Sequence, residues 1–344
     1  MRPLLHAVAY SLYSTHSMKH LLRAFLLSLP LLGHAAEINP PVHPDEAAVI
    51  RGIVAVENYN AATVVDMPGW LSNGIKRELA AFGLETGSLK SWMIEVKNDP
   101  RPYRGGFFSC LYNADGRIVA LSGNGPWLRN ETLRALKAMP ELRSIHWDHN
   151  GFVGGPETDL YDGTGFDALV DSKLIDIKIG LSFNDKGMEQ CAKIKGLRSF
   201  GVAHSRVTDA GVAFFEGHSG LTSFSVSEMG KPLLTGKALA SIAKIPNVNK
   251  IGFGECYISY TDGFAHLAPL KDRLVEFNIT MSIASPADLD KFKADHPNMK
   301  ITGLLTPEEI VKRHSGAAAN IAKQAPPELA APLKAAIEQF RKTK

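Results

Sequence analysis

Short runs of alternating apolar and polar residues recur along the chain at a spacing in the twenties. The pattern Leu-x-x-φ-x-φ, in which φ is apolar, begins at eight positions: Ile118, Leu142, Leu174, Leu197, Leu221, Val248, Leu274 and a degenerate Asn298. The successive spacings are 24, 32, 23, 24, 27, 26 and 24 residues. Alternation of period two, as in Phe224-Ser225-Val226, predicts one short strand in each run. A regular period of this length predicts a stack of similar strand–helix units.

Between the predicted strands, apolar residues occur in pairs three positions apart, which places both side chains on one face of a helix. The pairs are Met188 and Cys191, Val212 and Phe215, Leu239 and Ile242, Phe264 and Leu267, and Leu289 and Phe292. Thr208 or Asp209 can cap one of these helices. A single unit cannot bury its own apolar face, so the units must stack.

The unit pattern, roughly T-D-x-G-L followed by L-x-x-L-x-L, resembles that of bacterial secreted leucine-rich repeat proteins over about residues 113–305. The resemblance implies an α/β solenoid of about eight strand–helix units with a parallel sheet on its concave face. It also implies a small polar residue nine positions into each unit, bonded to the backbone where the chain leaves the strand. Those positions hold Asn150, Ser182, Ser205, Cys256, Ser282 and Thr306, with Pro126 and Met229 as departures. The resemblance implies binding in general and names no ligand.

The first 36 residues have the features of a secretory signal peptide. Lys19 and Arg23 lead into an apolar run that ends at Leu32, and small residues at 33–36 offer a cleavage site. Met18 is a better placed start than Met1 for such a segment. We therefore expect a secreted or periplasmic protein.

Three further segments follow the predicted signal peptide. Residues 37–112 are expected to form a leader and an N-terminal α/β cap, with a helix at 75–82, a strand at 91–96 and a hairpin that turns at 113–116. Residues 113–305 form the predicted solenoid. Residues 306–344 form a helical tail that opens with a capping box at Thr306 and ends in an amphipathic helix, which either folds back or projects.

Charge and composition exclude several classes of partner. Hydrophobic residues make up 45% of the chain and charged residues 21%, an ordinary globular balance. Loss of residues 1–35, which hold three basic and no acidic residues, lowers the formal charge from +3 to 0. We therefore expect no nucleic-acid partner. Because the sequence has no second long apolar run, we also expect no integral membrane span. Three widely separated cysteines predict no disulfide framework.

The motifs of common reaction classes are missing from the sequence, which favours a non-catalytic protein without a cofactor. It has no Gly-x-Ser-x-Gly, no phosphate-binding glycine loop, no His-Glu-x-x-His and no Cys-x-x-Cys. The alternative is a metal-dependent or enzymatic site around His146, Asp148 and His149. The unit that begins at Leu142 is the longest, at 32 residues, and we call it the long unit. Its insertion at 148–165 follows His146 and also carries Asp159 and Asp162.

Alternation along the predicted strands assigns a set of polar residues to the concave face. We predict that this face binds a protein or a cell-surface polymer through Ser144, His146, Asp176, Lys178, Ser199, Ser223, Ser225, Lys250, Glu276 and Asn278. The same columns hold Gly201, Gly252, Lys300 and Thr302, and no aromatic residue. A structural envelope component without a specific ligand fits the same surface, and the sequence leaves the oligomeric state open. Aromatic residues of the N-terminal segment, from Trp70 to Trp127, are expected to fill the cap's core, with a sugar-stacking platform as the alternative.

Overall fold

A computed structural model describes residues 40–56, 62–96, 106–124, 129–148, 161–180, 182–228 and 234–343. The predicted signal peptide lies outside these ranges. Eleven strands form one sheet and follow each other in chain order. They are β1 Ala62–Val65, β2 Lys90–Val96, β3 Gly106–Tyr112, β4 Ile118–Asn124, β5 Ser144–Asp148, β6 Asp176–Gly180, β7 Ser199–Ser205, β8 Ser223–Glu228, β9 Lys250–Gly254, β10 Glu276–Asn278 and β11 Lys300–Thr302.

Helices precede the sheet, alternate with its strands and follow it. The α-helices are α1 Pro44–Val56, α2 Gly69–Ala81, α3 Asn130–Ala135, α4 Asp185–Cys191, α5 Asp209–Ala213, α6 Ala238–Ile242, α7 Pro286–Asp295, α8 Pro307–Arg313, α9 Ser315–Gln324 and α10 Pro327–Lys342. Short 3-10 helices lie at Leu136–Ala138, Thr164–Leu169 and Phe264–Leu270. Among the described residues, no helix is both long and apolar enough to cross a bilayer.

The direction of the strands changes at β4. Strands β1 to β4 pair antiparallel, whereas β4 to β11 pair parallel, one strand for each predicted unit. Equivalent residues of successive units are directly opposite each other, as Phe200, Phe224, Ile251 and Phe277 show. The chain therefore folds as a leucine-rich repeat α/β solenoid that an antiparallel segment extends at its N-terminal side.

The main core lies between the sheet and the helices of the repeats. Two clusters of phenylalanines lie in it, with ring centroids of Phe200 and Phe215 4.7 Å apart in one and those of Phe264 and Phe292 4.3 Å apart in the other. Each of the predicted helix-face pairs is fully buried, except that Leu289 is only partly so. Large aromatic side chains bury the most apolar area per residue, so these phenylalanines supply much of the driving force for stacking the units.

The repeated threonine–aspartate phrase bonds each unit to the next. Thr208 caps α5 by accepting a bond from the Ala210 amide, and its own amide and hydroxyl donate to the two carboxylate oxygens of Asp185, at 2.8 and 2.7 Å. Thr235 donates in the same way to Asp209 of the preceding unit, again at 2.8 and 2.7 Å. We call these two pairs the Thr–Asp ladder.

Removal of one carboxylate from this ladder should destabilise the solenoid measurably. Asp209→Ala leaves both donors of Thr235 without their acceptor, and hydrogen bonds to charged groups contribute about 1.5–3 kcal/mol each. We expect a lower urea midpoint with an unchanged slope. Asp272→Ala, at an exposed carboxylate outside the ladder, is the matched control. Equal midpoints for the two variants would show that the ladder contributes nothing to stability.

The small polar residues nine positions into the units occupy the turns after the strands. The hydroxyl of Ser205 accepts from the Val207 amide, and that of Ser282 accepts from the Cys256 amide while donating to the Phe253 carbonyl. Asn150 and Met229 lie outside the described residues. Thr306 instead forms the predicted capping box at the start of α8, with its amide donating to Glu309 Oε2 at 2.8 Å.

The C-terminal helices fold back on the solenoid. Helices α8, α9 and α10 share a second apolar core, which includes Ile310, Ile321 and Leu333 and which also takes in Met281 from the turn after β10. The amphipathic last helix therefore packs against the rest of the protein. It does not project as a polar tail.

The N-terminal cap places a helix on the other side of the sheet. Helix α2 begins six residues before the predicted start at Ile75, and Ile75 and Leu79 pack with Met93, Leu111 and Ala120. Trp92 and Phe108 are buried as predicted, but they lie in the main core of the repeats and not in a core of the cap alone. The prediction is wrong for Trp70, which leaves 74% of its surface exposed at the start of α2.

Candidate functional site

The sheet face turned away from the repeat helices, which we call the concave face, carries the predicted binding residues. The register aligns Ser144 with Asp176, and Asp176 with Ser199, whereas His146 is opposite Lys178. The first of these columns continues through Ser223, Lys250, Glu276 and Lys300, and the second through Ser225, Gly252, Asn278 and Thr302. Every predicted concave residue thus lies on one face of one sheet.

Helix α2 divides the concave face into two parts. Ser144 and Asp176 each expose only 1% of their surface, and Ser199 is also buried. Next to them, Arg198 donates to the Phe82 carbonyl at the end of α2, at 3.0 Å. We call β4 to β6 the covered part. Further along, Ser225, Lys250 and Lys300 are exposed, so that β8 to β11 form the open part.

Four charged or titratable side chains meet where α2 crosses the sheet. Asp176 Oδ2 accepts from the Ser144 hydroxyl at 2.9 Å and contacts His146 Nε2. The same imidazole nitrogen lies 3.3 Å from Oε2 of Glu78, a residue of α2. Lys178 Nζ pairs with the other oxygen, Glu78 Oε1, at 2.7 Å. We call Glu78, His146 and Asp176 the concave triad.

The electrostatics of the triad favour an ionised Asp176. Burial raises the pKa of this carboxyl, but the hydrogen bond and charge of His146, together with the charge of Lys178, outweigh burial and leave the pKa below its ordinary value. The site therefore holds an ionised Asp176 beside the carboxyl group of Glu78 and the ammonium group of Lys178. It can attract further positive charge.

Two oxygen atoms of the triad are shielded from solvent and make no hydrogen bond, although one of them has the 3.3 Å contact with His146. They are Glu78 Oε2 and Asp176 Oδ1. Buried polar atoms of proteins are nearly always bonded, so each exception calls for an explanation. One ligand atom from each of Glu78, His146 and Asp176 lies within 4.8 Å of the others, a spacing that can hold a metal ion.

The predicted metal site around His146, Asp148 and His149 lies only partly within the described residues. Asp162 accepts hydrogen bonds from Asn130 and Thr164. Burial raises the pKa of its carboxyl group, but these bonds and that from Lys186 outweigh burial and leave the pKa below its ordinary value. Asp148 ends β5, while His149 and Asp159 lie outside the described residues. His146 instead finds its carboxylates on β6 and α2.

Sequence reasoning missed Glu78. It lies in the predicted helix, but it reaches His146 across 68 positions of the chain only because α2 docks on the sheet. A signal could have come from Asp176 itself. An acidic residue between apolar neighbours at a sheet-facing position requires a charged partner once it is buried.

A second histidine–carboxylate pair lies at the ends of β7 and β9, near the C-terminal helices, with Glu255 buried and His204 half-buried. His204 Nε2 is 2.6 Å from Glu255 Oε1, and the His204 ring lies edge-on to that of His314, with centroids 5.8 Å apart. His204, Glu255 and Met281 all have positive φ, between 52° and 62°. Each of them directly precedes the turn residue of its unit, so this strained conformation belongs to the repeat.

The cysteines show no sign of an activated thiol. Cys110, Cys191 and Cys256 are all completely buried. Burial raises the pKa of the Cys110 and Cys191 thiols, which suppresses the reactive thiolate. Both thiols therefore serve packing.

Comparison with known proteins adds little to this picture. No family model matches the chain, and no curated protein matches its sequence. Similar solved structures include an internalin (inlF) of Listeria monocytogenes, with 13% identity and a TM-score of 0.34 over 54% of this chain and 48% of that one. Internalin C2 of the same organism gives 13% and 0.33 over 56% and 79%. A leucine-rich repeat protein of Leptospira interrogans gives 12% and 0.32 over 49% and 38%.

The match thus spans about half the length of the first internalin. Values this low carry no argument about function. The architecture assigned to the chain rests instead on its own strand register and repeat spacing.

Proposed function

We propose that this chain is a non-catalytic, extracytoplasmic leucine-rich repeat scaffold that binds a protein or a cell-surface polymer through the open part of its concave face. The observation that carries the proposal is the register of β8 to β11, which aligns polar side chains on a surface accessible to solvent. The extracytoplasmic location rests on the signal-peptide features of residues 1–36, which lie outside the described part of the chain.

The chemistry of the open part suits a polar partner that lies close to the strands. Along one column the charge alternates from Lys250 to Glu276 to Lys300. The neighbouring column offers small hydrogen-bonding groups at Ser225 and Asn278. Because aromatic anchors are missing from both columns, affinity would depend on many hydrogen bonds and on charge complementarity.

Bulky charges on this surface should remove binding while the fold is kept. We expect the double variant Ser225→Arg and Asn278→Arg to capture less partner from an envelope fraction of the source cells. The affinity for that partner should fall by about tenfold or more. The matched control carries Ala210→Arg and Ala268→Arg, both at exposed positions on the repeat helices. Captured proteins are identified by mass spectrometry, and co-sedimentation with insoluble envelope polymer tests the second class of partner.

Each pattern of capture has a definite meaning. A partner that the wild type and the helix-face control retain, and that the concave variant loses, supports the proposal. Equal capture by all three chains contradicts the assigned surface and moves the site to the long unit or the N-terminal cap. The absence of any saturable partner favours the structural envelope component.

A further inference from the structure

The concave triad joins three separate elements at one point. Glu78 comes from the cap helix α2, His146 from β5 and Asp176 from β6. His146 Nε2 faces a carboxylate oxygen of both acidic residues at once. An imidazole N–H can make one well-aligned hydrogen bond, so a proton on this nitrogen cannot satisfy both carboxylates.

The unbonded atoms point to a ligand at the triad. Asp176 exposes 1% of its surface, and its Oδ1 makes no hydrogen bond of good geometry, although Ser144, Ser199 and His146 all interact with this carboxylate. Glu78 Oε2 is also shielded and makes no hydrogen bond, and it is the Glu78 oxygen that contacts His146 Nε2, at 3.3 Å. A cation placed between these atoms would bond to both carboxylates and to the imidazole.

We propose that Glu78, His146 and Asp176 bind a divalent transition-metal ion, with zinc as the best fit. One imidazole nitrogen and two carboxylate oxygens form a three-ligand set that zinc accepts, with a further position left for water or a ligand atom. Calcium and magnesium are disfavoured because they prefer oxygen ligands alone. This site goes beyond the proposed scaffold function and does not depend on it.

Neighbouring residues already hold two of the ligands in place. The Ser144 hydroxyl donates to Asp176 Oδ2, and the Lys178 ammonium holds Glu78 Oε1, which turns Oε2 towards His146. Outer partners of this kind orient the ligands of metal sites. The side chain of Glu78 remains 43% exposed, which gives an ion a path from solvent.

A metal ion here would cross-link the cap to the solenoid. Two of its ligands lie in the sheet and the third in α2, so binding would fasten α2 over the covered part of the concave face. Removal of the ion would loosen that helix without unfolding the repeats, whose core lies on the other side of the sheet.

The decisive experiment measures metal binding by the full chain after treatment with chelator. Isothermal titration with zinc is expected to give about one ion per chain, the single-site stoichiometry of a three-ligand set. Cobalt(II) should give visible absorption bands that zinc displaces. Glu78→Gln should abolish both signals, and His266→Ala, at a half-buried histidine outside the triad, should abolish neither. Ser144→Ala should weaken zinc binding by about 10- to 100-fold.

Glu78→Gln is the preferred variant because its position on α2 is partly exposed and outside the main core. Its thermal melt in the presence of chelator is expected to match that of the wild type. Hydrogen exchange of α2 should slow on addition of zinc in the wild type only. The proposal is overturned if the wild type binds no zinc, or if it and Glu78→Gln bind zinc equally. The triad is then a set of polar contacts that docks α2 on the sheet without a metal ion.

Discussion

An aspartate in place of Val226 is expected to unfold the repeats. Val226 lies in β8 with 1% of its surface exposed, and Val202 and Phe253 are its neighbours on the adjoining strands. The carboxylate would be buried without a partner, at a cost of more than about 4 kcal/mol. Because domains of this kind are stable by about 5–15 kcal/mol, we expect the loss of cooperative melting followed by circular dichroism.

The adjacent residue supplies the control for that variant. Ser225 lies in the same strand but faces the open part of the concave surface, so Ser225→Asp should change the free energy of unfolding by less than about 1 kcal/mol. A Val226→Asp chain that melts like the wild type would mean that the two faces of β8 have been assigned the wrong way round.

The second large effect is expected at Gly163. Its backbone has φ = +92°, and a Cβ atom there would lie 2.4 Å from the ring of buried Phe183 and 2.7 Å from the Cα of Gly187. Gly163→Ala therefore combines backbone strain with overpacking between two units. We expect it to lower stability by about 2–4 kcal/mol, measured by urea denaturation.

Gly83 allows the two contributions to be separated. It has a similar φ of +84°, but a Cβ atom there would meet nothing within 4 Å. Gly83→Ala should therefore cost about 1 kcal/mol from strain alone. If the two variants lose the same stability, close packing at Gly163 is not what requires glycine there.

The sequence was informative wherever one residue's environment follows from its own repeat. Alternation correctly divides β8 into buried Phe224 and Val226 and the more exposed Ser225. The spacing of three correctly places Leu239 and Ile242 in the core. These predictions succeed because a stacked unit contacts only its neighbours, so that local pattern and position in the fold agree.

Residues whose partners lie far away in the chain could not be predicted. Glu78 reaches His146 and Lys178 only because α2 docks on the concave face. Glu46 is fully buried in α1 and accepts a bond from the amide of Ile118 at 2.7 Å. No periodicity marks either contact, because each depends on how the cap packs against the sheet. The binding role of the concave residues remains a prediction, because the fold places them without showing what they touch.

The Thr–Asp ladder repeats the same pair of hydrogen bonds at two successive boundaries between units. The unit with Thr208 and Asp209 contributes a pair of donors to the unit before it and an acceptor to the unit after it, and the bonds have the same lengths at the two boundaries. If the segment between Leu197 and Thr222 were excised, Thr235 would come to lie opposite Asp185, a threonine facing an aspartate as before. Loss of this whole unit would therefore preserve the Thr–Asp bonds at the new boundary, while β8 and β6 would have to pack against each other directly.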